Sequence, residues 1–327
     1  MRRPLTIGAV VVAAVLLTVL APLWVPVTVI VDVVRRRRHL PLVRLGTFAW
    51  CWSLLEIAGV VASGALWVVG QGRNRRLHYR LQRWWAAHLI GALCATTGLR
   101  IEVEGADVLG DGPLICLGRH ASLGDALVSA WVFGSWAGRT PRYVMKRELL
   151  ADPCLDIVGQ RVPNYFVDRS NPVADTEVAG IAAMAEGLGD GDVAVIFPEG
   201  TRASTAKRAA RLEQLAERSP ARHRRLAGLT HVLPPRPAGA AGLLAKVPDA
   251  DVVVLWHVGF DGLDTFPRII AALAHGAPRA RVVLERHDRS SVPDGDDFIG
   301  WLDDRWVEMD GRVRAASLGL QSGSALP

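Results

Sequence analysis

Pro113-Leu114-Ile115-Cys116-Leu117-Gly118-Arg119-His120-Ala121-Ser122-Leu123-Gly124-Asp125 is the stretch that decides the fold. Its first five residues are apolar, with Asp111-Gly112 before them and Gly118 after. A short apolar run between turn residues predicts a buried strand. A helix is expected to follow from near Ser122, with Leu127, Val128, Trp131 and Val132 on its apolar face. His120 then falls in the strand-to-helix turn and Asp125 in the first helical turn. Residues five apart on one helix point to different faces, because each step turns by roughly 100°. The two side chains therefore meet only if His120 lies outside the helix and the turn folds it back. A carboxylate placed there holds one ring nitrogen, fixes the tautomer and leaves the other nitrogen free to take a proton from a hydroxyl. The same residues also fit a plainer pattern. Ser122 with Asp125 three residues on resembles a capping box, in which the acid only satisfies backbone N–H groups. The pair by itself does not decide between the two.

The chain has 327 residues, enough for one large domain or two small ones. Half of them are hydrophobic, and the excess sits at the N-terminus. Residues 5–31 carry no charge, and a second apolar segment at 45–70 holds one acid, Glu56. A helix of either length reaches across the roughly 30 Å hydrocarbon core of a bilayer. The first segment is too long for a signal-peptide core and has no clear small-residue cleavage site. We therefore expect a two-segment helical membrane anchor over residues 1–72, with segments at 5–34 and 45–70, Pro22 and Pro26 kinking the first. An acid at membrane depth is costly, so Glu56 is expected to face protein or water. Arg35 to Arg38 and Arg44 lie between the segments, while Arg73, Arg75, Arg76, Arg80 and Arg83 follow the second. Two full spans would put these clusters on opposite sides, against the positive-inside rule; a re-entrant or interfacial hairpin keeps both on the cytoplasmic face. The net charge of +6 points to an anionic partner such as a lipid head group, a phosphorylated small molecule or nucleic acid. Cys51, Cys94, Cys116 and Cys154 are scattered, without ligand spacing, so neither a disulfide nor a metal site is expected.

Further along, residues 73–97 read as a helix whose Trp84 and Trp85 suit either a membrane interface or packing against the domain. Strands are expected at 99–105, 143–145, 162–167, 193–197, 231–236, 252–256 and 281–285, and helices at 173–189 and 298–314. Strands alternating with helices predict an α/β domain over 73–316, a mixed β-sheet flanked by helices, followed by a flexible tail at 317–327. The basic run at 203–225 fits a solvated helix face or contact with anionic lipid. No aromatic residue interleaves with its charges, which argues against nucleic acid as a partner.

Glu199-Gly200-Thr201-Arg202 ends the strand expected at 193–197. Gly and Thr let backbone N–H groups approach an anion, and the Arg fork suits phosphate oxygens. Together, R-H-A-S-L-G-D at 119–125 and F-P-E-G-T-R at 197–202 resemble the glycerolipid (lysophospholipid) acyltransferase family, which is marked by H-x-x-x-x-D and F-P-E-G-T-R. Two further blocks are similar: Lys146-Arg147-Glu148-Leu149 with Gly159 and Phe166-Val167-Asp168-Arg169, and Leu233-Pro234-Pro235-Arg236-Pro237-Ala238-Gly239. The four ordered blocks cover roughly residues 100–310. Arg119 departs from the commoner Asn before the His, which bears on the acceptor.

The resemblance implies a membrane-bound O-acyltransferase that moves a fatty acyl group from acyl-CoA or acyl carrier protein to the free hydroxyl of 1-acylglycerol 3-phosphate, giving phosphatidic acid. His120 would be the general base and Asp125 its orienting partner. Gly200, Thr201 and Arg202, with Glu199 ordering the loop, would bind the substrate phosphate, and Lys146 and Arg169 are candidate second contacts. The acyl thioester is a co-substrate and no cofactor is implied; the partners would be lysophospholipid, thioester and membrane lipid, with the catalytic domain on the cytoplasmic face of the cell membrane. Two alternatives are an acyltransferase for another lysophospholipid and an inactive lipid-binding membrane protein. A serine hydrolase is disfavoured, because the chain has no G-x-S-x-G elbow.

Overall fold

The computed structural model describes residues 2–168, 174–263 and 265–323. Four helices come first: α1 (Arg2–Val19), α2 (Ala21–Val34), α3 (Pro41–Val68) and α4 (Arg75–Thr97). Then follow β1 (Arg100–Glu104), β2 (Leu114–Gly118), α5 (Asp125–Trp131), β3 (Thr140–Lys146), α6 (Pro153–Ile157), β4 (Tyr165–Val167), α7 (Ala174–Met184) and β5 (Asp192–Ile196). The chain closes with α8 (Thr205–Arg218), α9 (Pro220–Leu226), α10 (Pro237–Lys246), β6 (Asp251–Val258), α11 (Phe266–Ala274), β7 (Arg279–His287) and α12 (Gly295–Gly323).

The strands form one sheet in the order β1-β7-β6-β2-β5-β3-β4. The five strands from β6 to β4 are parallel, while β7 runs against β6 and β1 runs with β7. It is thus the mixed sheet expected from the sequence. Every residue of β2 is buried, because the strand has a neighbour on each side and helices on both faces. Its side chains alternate between two cores. Ile115 and Leu117 join α7, α10 and α12 on one face, and Leu114 and Cys116 join Ile90, Val128 and Phe133 on the other. Each fully buried leucine contributes about 1.5–3 kcal/mol to this packing. From β2 the chain moves out to β3 and β4, returns as β5 and then fills β6 on the far side. The strand order therefore reverses at β2, and the crevice beyond the carboxyl ends of β2, β5 and β6 is where such sheets hold ligands.

Three expectations change. Residues 231–236 are not a strand. Pro234 and Pro235 have no N–H to give a ladder, and distant side chains satisfy the backbone instead. Asp310 accepts the N–H groups of Thr230, His231 and Val232, and Glu199 accepts that of Leu233. Arg211 and Arg222 donate to the carbonyls of Pro234 and Pro235. The first apolar segment is two helices rather than one, broken at Leu20; Pro22 lies in the first turn of α2, where a missing N–H costs nothing. Finally, α12 continues through residues 317–323, where a tail was expected.

The N-terminal helices lie along the domain. α1 and α2 run antiparallel to α3, with Trp50 Nε1 donating to Thr18 Oγ1 (2.9 Å) and the N–H of Leu42 to Asp32 (2.9 Å). α3 in turn sits on α4 and α6. Glu56 faces protein: it accepts from Trp85 Nε1 and from the N–H of Cys154, each at 3.0 Å. Gly59 lies so close that a Cβ there would be 2.5 Å from Cys154 Sγ. The buried carboxylate of Asp156 pairs with Arg2 (2.9 Å) and Arg3 (3.1 Å). At one end Arg44 donates to the carbonyl of Thr97, and at the other Arg161 donates to that of Gly72. Trp85 is thereby tied to α3, while Trp84 stays partly exposed. α1 and α3 are long and apolar enough to cross a membrane, and their outward face exposes Val12, Val15, Leu16, Val61 and Val68.

Candidate active site

β2 ends at Gly118, where a side chain would collide with the ring of Phe197, 2.7 Å from the Cβ position. The Arg119 N–H extends the ladder to the Leu255 carbonyl (2.8 Å). The chain then turns sharply and presents His120. Three bonds fix this residue. Its N–H donates to Glu199 Oε1 (2.8 Å), its carbonyl accepts the N–H of Ala203 (2.8 Å), and its Nδ1 lies 2.8 Å from Asp125 Oδ2. The ring tilts over Phe197, with centroids 5.1 Å apart. About a fifth of the side chain is exposed (19%), and Nε2 has no partner among the described residues.

Asp125 opens α5 and is fully enclosed. Its Oδ2 also accepts the N–H groups of Ala121 (2.6 Å) and Ser122 (2.8 Å), and its Oδ1 accepts Ser122 Oγ. Both readings of the sequence are therefore realised in one carboxylate, which satisfies the turn's backbone and holds the imidazole. Burial alone would push Asp125 up, but the neighbouring His257 and His120 outweigh it and hold the carboxyl well below the usual range. Asp125 therefore stays ionised, as a partner for an imidazolium must.

Glu199 follows β5 and is turned inward rather than toward a substrate. Fully buried, it bridges the His120 N–H and the Leu233 N–H (2.8 Å each). From there it orders the loop, the part the resemblance implied for it, and among the described residues makes no contact toward the outside. Burial pushes it up to about 8. Gly200 has φ of +66°, the left-handed conformation that favours glycine, and lets the chain reverse after β5. Thr201 Oγ1 and the Arg202 carbonyl accept from Lys207 Nζ at 3.1 and 3.3 Å. Arg202 precedes the Ala203 whose N–H bonds the His120 carbonyl, so one backbone contact joins the two candidate segments. Arg202 Nη1 is buried without a hydrogen-bond partner among the described residues, a costly arrangement for a cationic donor. Lys146 is half-buried at the carboxyl end of β3, on the same edge of the sheet. Arg169 lies outside the described residues.

Several contributors were not anticipated. Arg119 is fully buried and does not reach an acceptor: it binds both carboxylate oxygens of Asp261 and the carbonyls of His257 (2.5 Å) and His231 (3.3 Å). Arg211 braces the loop by donating to the Glu199 carbonyl (2.8 Å). His257, near the end of β6, places Nε2 3.2 Å from Asp125 Oδ1. Its one signal in the sequence is a titratable residue directly after the apolar run Val252–Trp256. Among the described residues no group of three or more His, Cys, Asp and Glu is arranged to hold a metal.

Residues 100–259 match the family model described as Acyltransferase. The comparison with curated proteins gives no match. Among solved structures the chain is similar to the crystal structure of the 1-acyl-sn-glycerophosphate (LPA) acyltransferase PlsC from Thermotoga maritima. The two are 14% identical, the match covers 84% of this chain and 96% of that one, and the TM-score is 0.44. The matched family segment begins at β1, ends one residue past β6 and encloses the His120–Asp125 pair and residues 199–202, so residues 100–259 of this chain are an acyltransferase domain.

Proposed function

We propose that this enzyme transfers a fatty acyl group from an acyl thioester, acyl-CoA or acyl carrier protein, to the free hydroxyl of 1-acylglycerol 3-phosphate. The observation that supports this reading is a carboxylate-held base whose own backbone is bonded to the loop that carries Arg202. His120 has its Nδ1 held by Asp125 and its Nε2 open, and Arg202, next in the chain to the Ala203 that bonds the His120 carbonyl, has an unpartnered nitrogen. His120 Nε2 takes the proton of the hydroxyl as its oxygen attacks the thioester carbonyl carbon. The C–S bond then breaks, and the leaving thiolate takes the proton from the imidazolium, which Asp125 has stabilised meanwhile. No acyl-enzyme is required, because a thioester is already activated, and no bound cofactor takes part.

Arg202, with the loop at 200–201, holds the acceptor phosphate, and Lys146 and Arg169 are secondary contacts. Arg119 is committed to Asp261. Its presence in place of Asn therefore favours no other head group by direct contact. In this reading the apolar N-terminal helices hold the site at a membrane, which their length and apolar outward face support. Both arginine clusters border the same domain, which supports a hairpin on the cytoplasmic leaflet over two full spans.

The test is an acyl-transfer assay of membranes across several lysolipids and both donors, with wild type and Arg202→Ala. The Ala variant is expected to raise the acceptor KM, with kcat much less affected. A wild type that prefers acceptors lacking a phosphomonoester, or an Arg202→Ala KM equal to wild type, would remove 1-acylglycerol 3-phosphate as the substrate. A wild type inert toward all of them would favour a lipid-binding role.

A further inference from the structure

Asp125 has two imidazoles against it. His120 meets one oxygen, and His257 Nε2 lies 3.2 Å from the other. Gly118 of β2 pairs with Leu255 of β6, so His257 stands two residues further on, level with His120. Its side chain is 1% exposed, and neither ring nitrogen has a well-aligned hydrogen-bond partner among the described residues. A buried imidazole is costly to leave without partners. The contact with Asp125 is the one polar interaction that accounts for its being there.

We propose that His257 is a positioning residue of the transferase site. It holds Asp125 from the side opposite His120 and limits how strongly that carboxylate draws a proton onto His120. The inference rests on the reading of His120 as general base. Either protonation state of His257 acts in the same direction. As a neutral ring donating Nε2–H, or as an imidazolium, it draws negative charge on Asp125 toward itself. His120 then gives up its proton more readily and stands neutral, ready to accept one, at lower pH.

The groups around His257 are few. From the β2 turn come His120 and Arg119, the latter donating to the His257 carbonyl. α5 contributes Asp125, and the loop after β6 contributes Asp261, neutralised by Arg119, and Phe260, edge-on at 5.4 Å. β7 opposes it with apolar Val282. The buried carboxyl of Glu199 acts on Asp125 from the loop after β5.

The experiment is the pH profile of kcat/KM for the full chain in lipid vesicles, using an acyl thioester and 1-acylglycerol 3-phosphate. His257→Phe keeps a ring against Phe260 but has no donor, and the Nε2 of His257→Gln reaches the same oxygen. The Phe variant is expected to move the acidic limb upward by about half to one pH unit and to lower turnover near neutral pH, with the acceptor KM held. The Gln variant is expected to keep its limb near that of wild type. A purely structural residue would lower the rate without moving the limb. An unmoved limb in His257→Phe, or equal limbs in the Phe and Gln variants, overturns the proposal. If the Phe variant does not fold, His257→Asn, too short to reach Asp125, takes its place, and coincident Asn and Gln limbs overturn it equally. His120→Ala run alongside separates the two readings. If it is inactive while the His257 limbs do not move, only this proposal fails; if it is active, the base reading fails and takes the proposal with it.

Discussion

A carboxyl sealed away from water holds its proton more tightly, and Glu199 is in that position. Burial pushes it from 4.5 up to about 8, and the N–H groups of His120 and Leu233 offset part of the rise. With its folded value the higher one, Glu199 binds more protons folded than unfolded between 4.5 and about 8. Its contribution to stability therefore falls as pH rises through that window and is level above it, a total on the order of a few kcal/mol. Glu199→Gln removes the titration. In denaturant unfolding at several values across that window, wild type is expected to lose stability more steeply than the Gln variant; parallel curves would show that Glu199 is ionised throughout. Much of the site at this scale is legible in the sequence, because His120 and Asp125 are five residues apart and a local turn brings them together. The rest is not. Arg119 reads as a substitution facing the acceptor, yet its partner Asp261 lies 142 residues away.

The segment between α9 and α10 shows how an element can form without its own ladder. Apolar residues at 232–235 invite a strand reading, and the prolines forbid it. The segment is held instead by one carboxylate from α12. Asp310 accepts Thr230 Oγ1 and three consecutive backbone N–H groups. Burial works against its charge, but those bonds prevail and hold its carboxyl below the usual range. Asp310→Ala would leave donors buried without partners, costing about 2–3 kcal/mol. The measurement is the midpoint of chemical unfolding, and a variant as stable as wild type would show that solvent reaches these groups. The basic run at 203–225 carries the same lesson. Its charges read as a solvated face, yet Arg211 and Arg222 are spent on the carbonyls of Glu199, Pro234 and Pro235. Helical periodicity identifies the helix but does not distinguish an arginine that reaches back to the loop from one that meets water.

For the whole molecule, the N-terminal helices are tied to the α/β domain by polar contacts at several points along their length. Arg44 binds the end of α4, Glu56 binds α4 and α6, and Arg2 and Arg3 bind Asp156. Hydropathy reports segment length and apolarity, so the sequence shows two long apolar segments without showing how they lie. The seat on α6 depends on contacts across about a hundred residues of chain, such as Glu56 with Cys154, 98 apart. In sealed inverted vesicles, protease is expected to cut the 35–40 loop as readily as α8, because a leaflet hairpin leaves both on one side. Protection of that loop while α8 is cleaved would establish full spans.

The central claim is that His120 removes the acceptor's proton. The measurement that tests it most directly is single-turnover acyl transfer to 1-acylglycerol 3-phosphate by His120→Ala, alongside an unfolding curve for the same preparation. A folded variant slowed about 10²–10⁴-fold, with acceptor binding retained, is the expected result. A folded variant that transfers the acyl group at the wild-type rate would contradict it.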